Sequence, residues 1–300
     1  MRIVQRHELD VVRWDKLVAD SSGTVFSCSF YLDAVSENWC VLVDDAYTAG
    51  IALPYTVKLG QKTLYTPFFV RYIEWFGQPD KNGVLLIKQQ FHRADITLRT
   101  DLFSKGERIV YQEILPDTTW KLNEQSKRML KRFDQSGLVL VESTETIEIV
   151  QVIEEELTSR VSSLNKQSLE LLNKLLANLN RVGVLRVVKS YDQEILLGGA
   201  FFIYHQDRLI YLKSAFKEKG RKEGAMYAIM NKQIAATRSS GRVFDFGGSR
   251  VESVRRFNLN LGGDDVYYYR FTWDSSPGWF RMLHLLRQFS RSRRSIRTKM

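Results

Sequence analysis

The chain has 300 residues, 44% hydrophobic and 26% charged, with 17 Phe, 13 Tyr and 6 Trp, which excludes wholesale disorder and leaves room for one large domain or two ordinary ones. Two cysteines, Cys28 and Cys40, and four histidines in no metal-ligand spacing exclude a disulfide framework and a zinc site, so no metal is expected and both thiols read as reduced and buried. Of the net +10, seven bases and no acid fall in residues 281–300, leaving 37 bases against 34 acids elsewhere.

No apolar run approaches the roughly 18 residues of a spanning helix, and the first residues lack a signal-peptide stretch, so the expected location is the cytoplasm. In chain order, Arg2–Gln5 predicts a strand, then Trp14–Ala19 and Phe30–Glu37 short helices. Cys40–Val43, Tyr47–Tyr55 and Lys62–Phe69 predict three strands in series. Asn82–His92 reads as a helix, Asp95–Arg99 as a strand and Arg108–Ile114 as a closing strand. Ser126–Asp134 is helical, with Lys127, Arg128, Lys131 and Arg132 on one side. That face reads either as solvated or as a contact for a polyanion such as a phosphate or a tRNA backbone.

The order then repeats. Leu138–Glu142 is a strand, and Ile147–Leu157 and Ser168–Val182 are helices; the second helix puts Leu172, Leu175, Leu176 and Leu179 on one face and stops at Gly183. Val184–Ser190, Leu196–Tyr204 and Arg208–Ala215 predict antiparallel strands joined by short polar turns. Glu223–Arg238 is a helix, Val243–Phe246 a strand, Val251–Asn258 a short helix and Val266–Thr272 a last strand. Trp279, Phe280, Met282, Leu283, Leu285, Leu286 and Phe289 precede the densest basic charge. An amphipathic helix there would dock on the body or on an anionic membrane, while the charge block itself reads as a solvated end or a polyanion contact. The expected fold class is α+β: two tandem units, each a mixed, mostly antiparallel sheet flanked by helices. The expected divisions are 1–122, a basic connecting helix 123–137, 138–275, and a basic tail 276–300.

Several stretches resemble a known family. They are Ala52-Leu53-Pro54 with Tyr65-Thr66-Pro67-Phe68, the basic helix, and Leu209–Ala215 leading to a helix. The most specific is Phe244-Asp245-Phe246-Gly247-Gly248-Ser249 followed by Arg256-Phe257-Asn258-Leu259-Asn260-Leu261-Gly262-Gly263. With the element order, these resemble the GNAT acyltransferase fold in tandem, as in the FemABX group of peptidyl and aminoacyl transferases.

The resemblance implies attack of an amine on an activated acyl carbon. The donor would be acyl-CoA or aminoacyl-tRNA, and the acceptor a small-molecule or peptide amine, as in peptidoglycan metabolism. It places donor contacts at Lys213, Arg221, Lys222 and Gly224, and the reacting edge at Asp245, Ser249 and Asn258. Tyr65, Phe68, Tyr72, Arg250 and Phe257 would line the substrate cleft. A GNAT helix N-terminus holds the CoA pyrophosphate on backbone N–H groups. Arg221 and Gly224 fit that pattern, whereas Met226 stands where a small residue is expected and Glu223 adds negative charge. FemABX members carry Lys where this chain has Asn258. Met226, Asn258 and Phe257, which has no proton to give a departing thiolate, favour the alternative, a catalytically degenerate binding module on the same fold.

Overall fold

A computed structural model describes residues 1–157, 165–247, 251–280 and 282. The first half runs β1 (Arg2–Gln5), α1 (Val11–Asp20), a 3-10 turn (Val25–Ser27), α2 (Ser29–Val35), β2 (Asn38–Val43), β3 (Gly50–Lys58), β4 (Gln61–Tyr65), β5 (Trp75–Phe76), α3 (Lys81–Gln90), β6 (Arg93–Leu98) and β7 (Glu107–Ile114). Then come α4 (Glu124–Gln135), β8 (Val139–Ser143), α5 (Ile147–Leu157), α6 (Lys166–Arg181), β9 (Leu185–Asp192), β10 (Ile195–His205) and β11 (Arg208–Phe216). The chain continues through α7 (Glu218–Lys222), α8 (Ala225–Ser239), β12 (Val243–Asp245), α9 (Glu252–Asn260) and β13 (Asp264–Asp274).

The α+β class and the duplicated element order are both present. Several expected boundaries moved, among them the strand expected over Tyr47–Tyr55, which runs from Gly50 to Lys58, and two have a local cause. The strand expected over Lys62–Phe69 stops at Tyr65, two residues before Pro67, which has no N–H to continue a ladder. The helix expected over Glu223–Arg238 is preceded by the separate helix α7. Gly224 divides the two in the left-handed region, at φ 81°. Local caps fix other ends. Asp10, Asp80, Asn123 and Asn165 each accept a backbone N–H in the first turn of α1, α3, α4 and α6.

One sheet runs through both halves in the order β1-β2-β3-β4-β6-β13-β7-β12-β11-β10-β9-β8, with β5 paired to β3. The closing strands are exchanged. β7, from the first half, pairs with β12, and β13, from the second, lies between β6 and β7. The exchange removes a central sheet edge, so the two units interlock through their backbones.

Helices α1, α2, α5 and α6 share one face of this sheet. Their apolar stripes, from Trp14 and Leu32 to Leu172 and Leu179, form one core that spans both halves. The opposite face is divided. Ile229, Met230 and Ile234 of α8 pack on the second half, and Ile87 of α3 packs on the first. Cys28 and Cys40 are free and buried, and burial pushes the Cys40 thiol up to about 12 and Cys28 higher. Among the described residues, no helix is long and apolar enough to cross a membrane.

Candidate active site at the seam of the two units

The sheet contains two parallel strand pairs, and each runs for three residues. β4 pairs with β6 from Thr63↔Arg93 to Tyr65↔Asp95, and β11 pairs with β12 from Arg208↔Val243 to Ile210↔Asp245. Beyond these points the strands part. In the first unit the chain leaves at Thr66 and returns to refill the gap. Ile73 N–H donates to the Thr97 carbonyl at 2.9 Å, and Arg99 N–H donates to the Ile73 carbonyl at 3.1 Å. In the second unit β11 continues to Phe216, and among the described residues no strand pairs with it on its β12 side beyond Ile210. The Tyr211 carbonyl is met there by the guanidinium of Arg71, which reaches across from the first unit.

Beneath this opening lies a buried polar seam built by the strand exchange. Tyr268 of β13 stacks on Tyr72, with centroids 4.5 Å apart and planes at 16°. Its hydroxyl donates to Glu113 Oε1 at 2.6 Å. Arg208 Nη1 pairs with Glu113 Oε2 at 3.0 Å, both side chains being buried. On the first-unit side, Arg99 Nη1 donates to Glu74 Oε1 at 2.9 Å, and Thr24 donates to Glu74 Oε2 through its N–H and hydroxyl. Three carboxylates, Glu74, Glu113 and Asp245, therefore meet three guanidiniums, Arg71, Arg99 and Arg208.

Asp245 ends β12 and is 2% exposed. Its Oδ1 accepts the Gly247 N–H at 2.6 Å, and its Oδ2 has no hydrogen-bond partner. Burial raises its pKa above the ordinary carboxylate range; Arg71 and Arg208 pull against that, and Glu113 adds to it. A carboxylate that favours its proton and keeps one oxygen free can take a proton from an amine.

The structure scatters the other residues expected from sequence. Tyr72 is fully buried in the seam, and its hydroxyl has no partner. Tyr65 stands at the end of β4, within 3.4 Å of the Ser36 hydroxyl. Phe68 is exposed against the edge of Phe69. Asn258 is buried, and its amide donates to Gln112 Oε1 at 3.0 Å. Phe257 packs edge-on to Tyr227 at 4.9 Å. Lys213 lies on β11 opposite Phe201, and burial lowers its pKa. Ser249, Arg250 and the tail 283–300 fall outside the described residues.

The expected phosphate cradle is covered. A Cβ at Gly224 would stand 2.5 Å from the Met129 carbonyl oxygen, because α4 crosses the N-terminus of α8 there. Arg132 of α4 pairs with Glu223 at 3.4 Å. Arg221 Nη1 is bound to Glu156 at 2.6 Å and to the Phe216 carbonyl, while Lys222 is paired with Glu218. Two open hollows of about 570 and 560 Å³, along β8–β9 and between α2 and α6, contain no residue of the seam.

Residues 121–267 match the acetyltransferase (GNAT) domain family. That stretch is the chain's match to a GNAT domain. Its β11 and β12 are strands of that domain, and the part of the seam contributed by Arg208 and Asp245 is its own. Among solved structures, FemX aligns over 90% of this chain and 98% of its own, at 10% identity and a TM-score of 0.61. L-PGS from Bacillus licheniformis aligns over 93% and 96%, at 11% identity and 0.55. A tandem GNAT protein from the clavulanic acid biosynthesis pathway aligns over 92% and 99%, at 13% identity and 0.52. At such identities the likeness shows the fold: the FemABX-like tandem GNAT architecture covers the chain. No curated protein matches it in sequence.

Sequence reasoning did not single out Arg71, Glu74, Glu113 or Arg208. One signal was available, since Glu74 and Glu113 interrupt otherwise apolar or aromatic runs. Their partners come from distant strands, which spacing cannot reveal.

Proposed function

We propose that the chain is an N-acyltransferase of the cytoplasm that moves an acyl or aminoacyl group onto an amine at the opening between β11 and β12. Asp245 carries the reading: a buried carboxylate with one free oxygen, placed where the parallel pairing ends. The neutral amine attacks the acyl carbon, a C–N bond forms, and the C–S bond of a thioester or the C–O bond of an ester breaks. The amine proton passes to Asp245 and then to the departing thiolate or alkoxide. Holding amine and acyl carbon together supplies most of the remaining acceleration.

The covered N-terminus of α8 supports an aminoacyl ester donor over acyl-CoA. The Met129 carbonyl oxygen lies against Gly224 at the N-terminus of α8, the end that would hold a pyrophosphate, and Arg221 is already paired with Glu156. The exposed side of α4 suits a tRNA backbone, since Arg128 and Lys131 project from it. The test supplies the purified chain with acetyl-CoA or with aminoacyl-tRNA, together with a panel of amines, and follows label into an amide. Transfer from aminoacyl-tRNA is expected, and Asp245→Asn should slow it by about 10²-fold or more while the fold melts normally. Consumption of neither donor would remove the reading. Arg71 across the opening favours a second one, a binding module that holds ligand without turnover.

A further inference from the structure

Gly247 stands between two opposite charges. Asp245 binds its N–H on one side, and the Arg71 guanidinium lies against its Cα on the other, in the space a Cβ would occupy. No hydrogen bond joins Arg71 to Asp245. The present partner of Arg71 is a neutral backbone carbonyl, that of Tyr211, while Asp245 Oδ2 is buried without one. Neither charge has a charged hydrogen-bond partner, and both stand where β11 and β12 part.

We propose that this gap is the acceptor site and that it takes a zwitterion: the amino-acid end of the acceptor, its ammonium on Asp245 and its carboxylate on Arg71. Two arguments carry it. A guanidinium gains when it exchanges a neutral carbonyl for a carboxylate, because paired N–H groups then meet paired oxygens with full charge. The second is the charge balance of the seam. With Asp245 ionised, Glu74, Glu113 and Asp245 match Arg71, Arg99 and Arg208 in number. A simple amine would add a lone positive charge there, and a simple acid a lone negative one, at the cost of an uncompensated buried ion. A zwitterion adds none. The inference deepens the proposed function by naming the class of acceptor, and it makes the site composite. The first unit supplies the carboxylate anchor, and the GNAT domain supplies the group that takes the proton.

The test is calorimetric titration of the full chain with each of the twenty amino acids. Any that binds is compared with its methyl ester, which keeps the amine and loses the acid, and with its decarboxylated amine. At least one free amino acid is expected to bind, with ester and amine weaker by about tenfold or more, the size expected for a hydrogen bond to a charged group. Arg71→Gln should bring the free amino acid down to the affinity of its ester and leave the ester unchanged. The ester comparison uses the unaltered protein, so it stands even if Arg71→Gln does not fold. Equal affinity of acid and ester, or no binding by any of the twenty at millimolar concentration, overturns the inference. Failure of transfer on every donor would sink the proposed function with this binding intact. Transfer onto carboxylate-free amines as readily as onto amino acids would keep the function and overturn the acceptor class.

Discussion

The two parallel strand pairs have the same register length, yet they end differently. β4 and β6 part after Tyr65, and the chain's own segment from Thr66 to Ile73 comes back to restore hydrogen bonds to β6. β11 and β12 part after Ile210, and among the described residues it is a side chain, that of Arg71, that meets the freed β11 backbone. The same segment therefore closes one opening with its backbone and reaches into the other with a guanidinium. A gap filled by backbone is structural, because its donors and acceptors are spent on each other. A gap met by one side chain can exchange partners, and this is why the second unit is the reactive one in our reading. The helices after these openings show the same division. Asp80 caps α3 with its own carboxylate, whereas α8 begins at a glycine covered by another helix.

The largest effect should come from the open side. Asp245→Asn keeps the shape and removes the base, so transfer should fall about 10²- to 10⁴-fold in single-turnover assays. The pH profile sharpens the point. Only the ionised carboxylate takes a proton, so the rate should rise with pH through a pKa above the ordinary carboxylate range, because burial raises it. Stability runs the other way. Between the unfolded and folded pKa values the native state holds the extra proton, so unfolding free energy should fall as pH rises through that window. Denaturant titration of the wild type against Asp245→Asn would show the slope in the first and its loss in the second.

Next in size is the closed side. Glu74→Ala leaves the Thr24 donors without an acceptor and Arg99 without a counterion. The expected loss is about 3 kcal/mol, tempered because the Arg99 side chain is 42% exposed and water replaces part of its partner. A chemical-denaturation midpoint shift with unchanged slope would register it. If stability were untouched, the returning segment would not hold the first opening shut.

Gly224→Ala tests the cover on α8. A Cβ there faces both a φ of 81° and the Met129 carbonyl, so the variant should lose about 1–3 kcal/mol by thermal melting. Arg221→Ala is the smallest change. Its ion pair with Glu156 is partly solvated, with the arginine side chain 38% exposed, and should be worth about 0.5 kcal/mol. Acetyl-CoA affinity should not respond to it. A clear loss of affinity would show that the cradle opens in solution and would restore acyl-CoA as the donor.

Much of the fold was legible because it is written locally. The leucines of α6 recur at helical spacing and Gly183 marks its end, whereas the start read at Ser168 lies two residues inside the helix, which Asn165 caps. The repeated order of strand, two helices, three strands, helix and strand identified the tandem architecture without any contact being known. The two-residue strand β5 left no periodic signal, and Gly224 divided a run that hydrophobic spacing read as continuous. At the site, Asp245 was legible as a charge inside an apolar strand, a placement that demands a reason. Asn258 was marked by resemblance, and the structure gives it Gln112 as a partner.

By itself the sequence determined element type and order, the core face of α6 and the presence of an acid in β12, since each of these depends on neighbours within a few residues. The tertiary structure decided the rest. It exchanged β7 and β13, stacked Tyr268 on Tyr72, paired Glu113 with Arg208 and carried Arg71 into the GNAT domain's opening. Strand pairing across some 150 residues is selected by burial and by hydrogen-bond satisfaction over the whole sheet. No local pattern encodes which strand will be the neighbour.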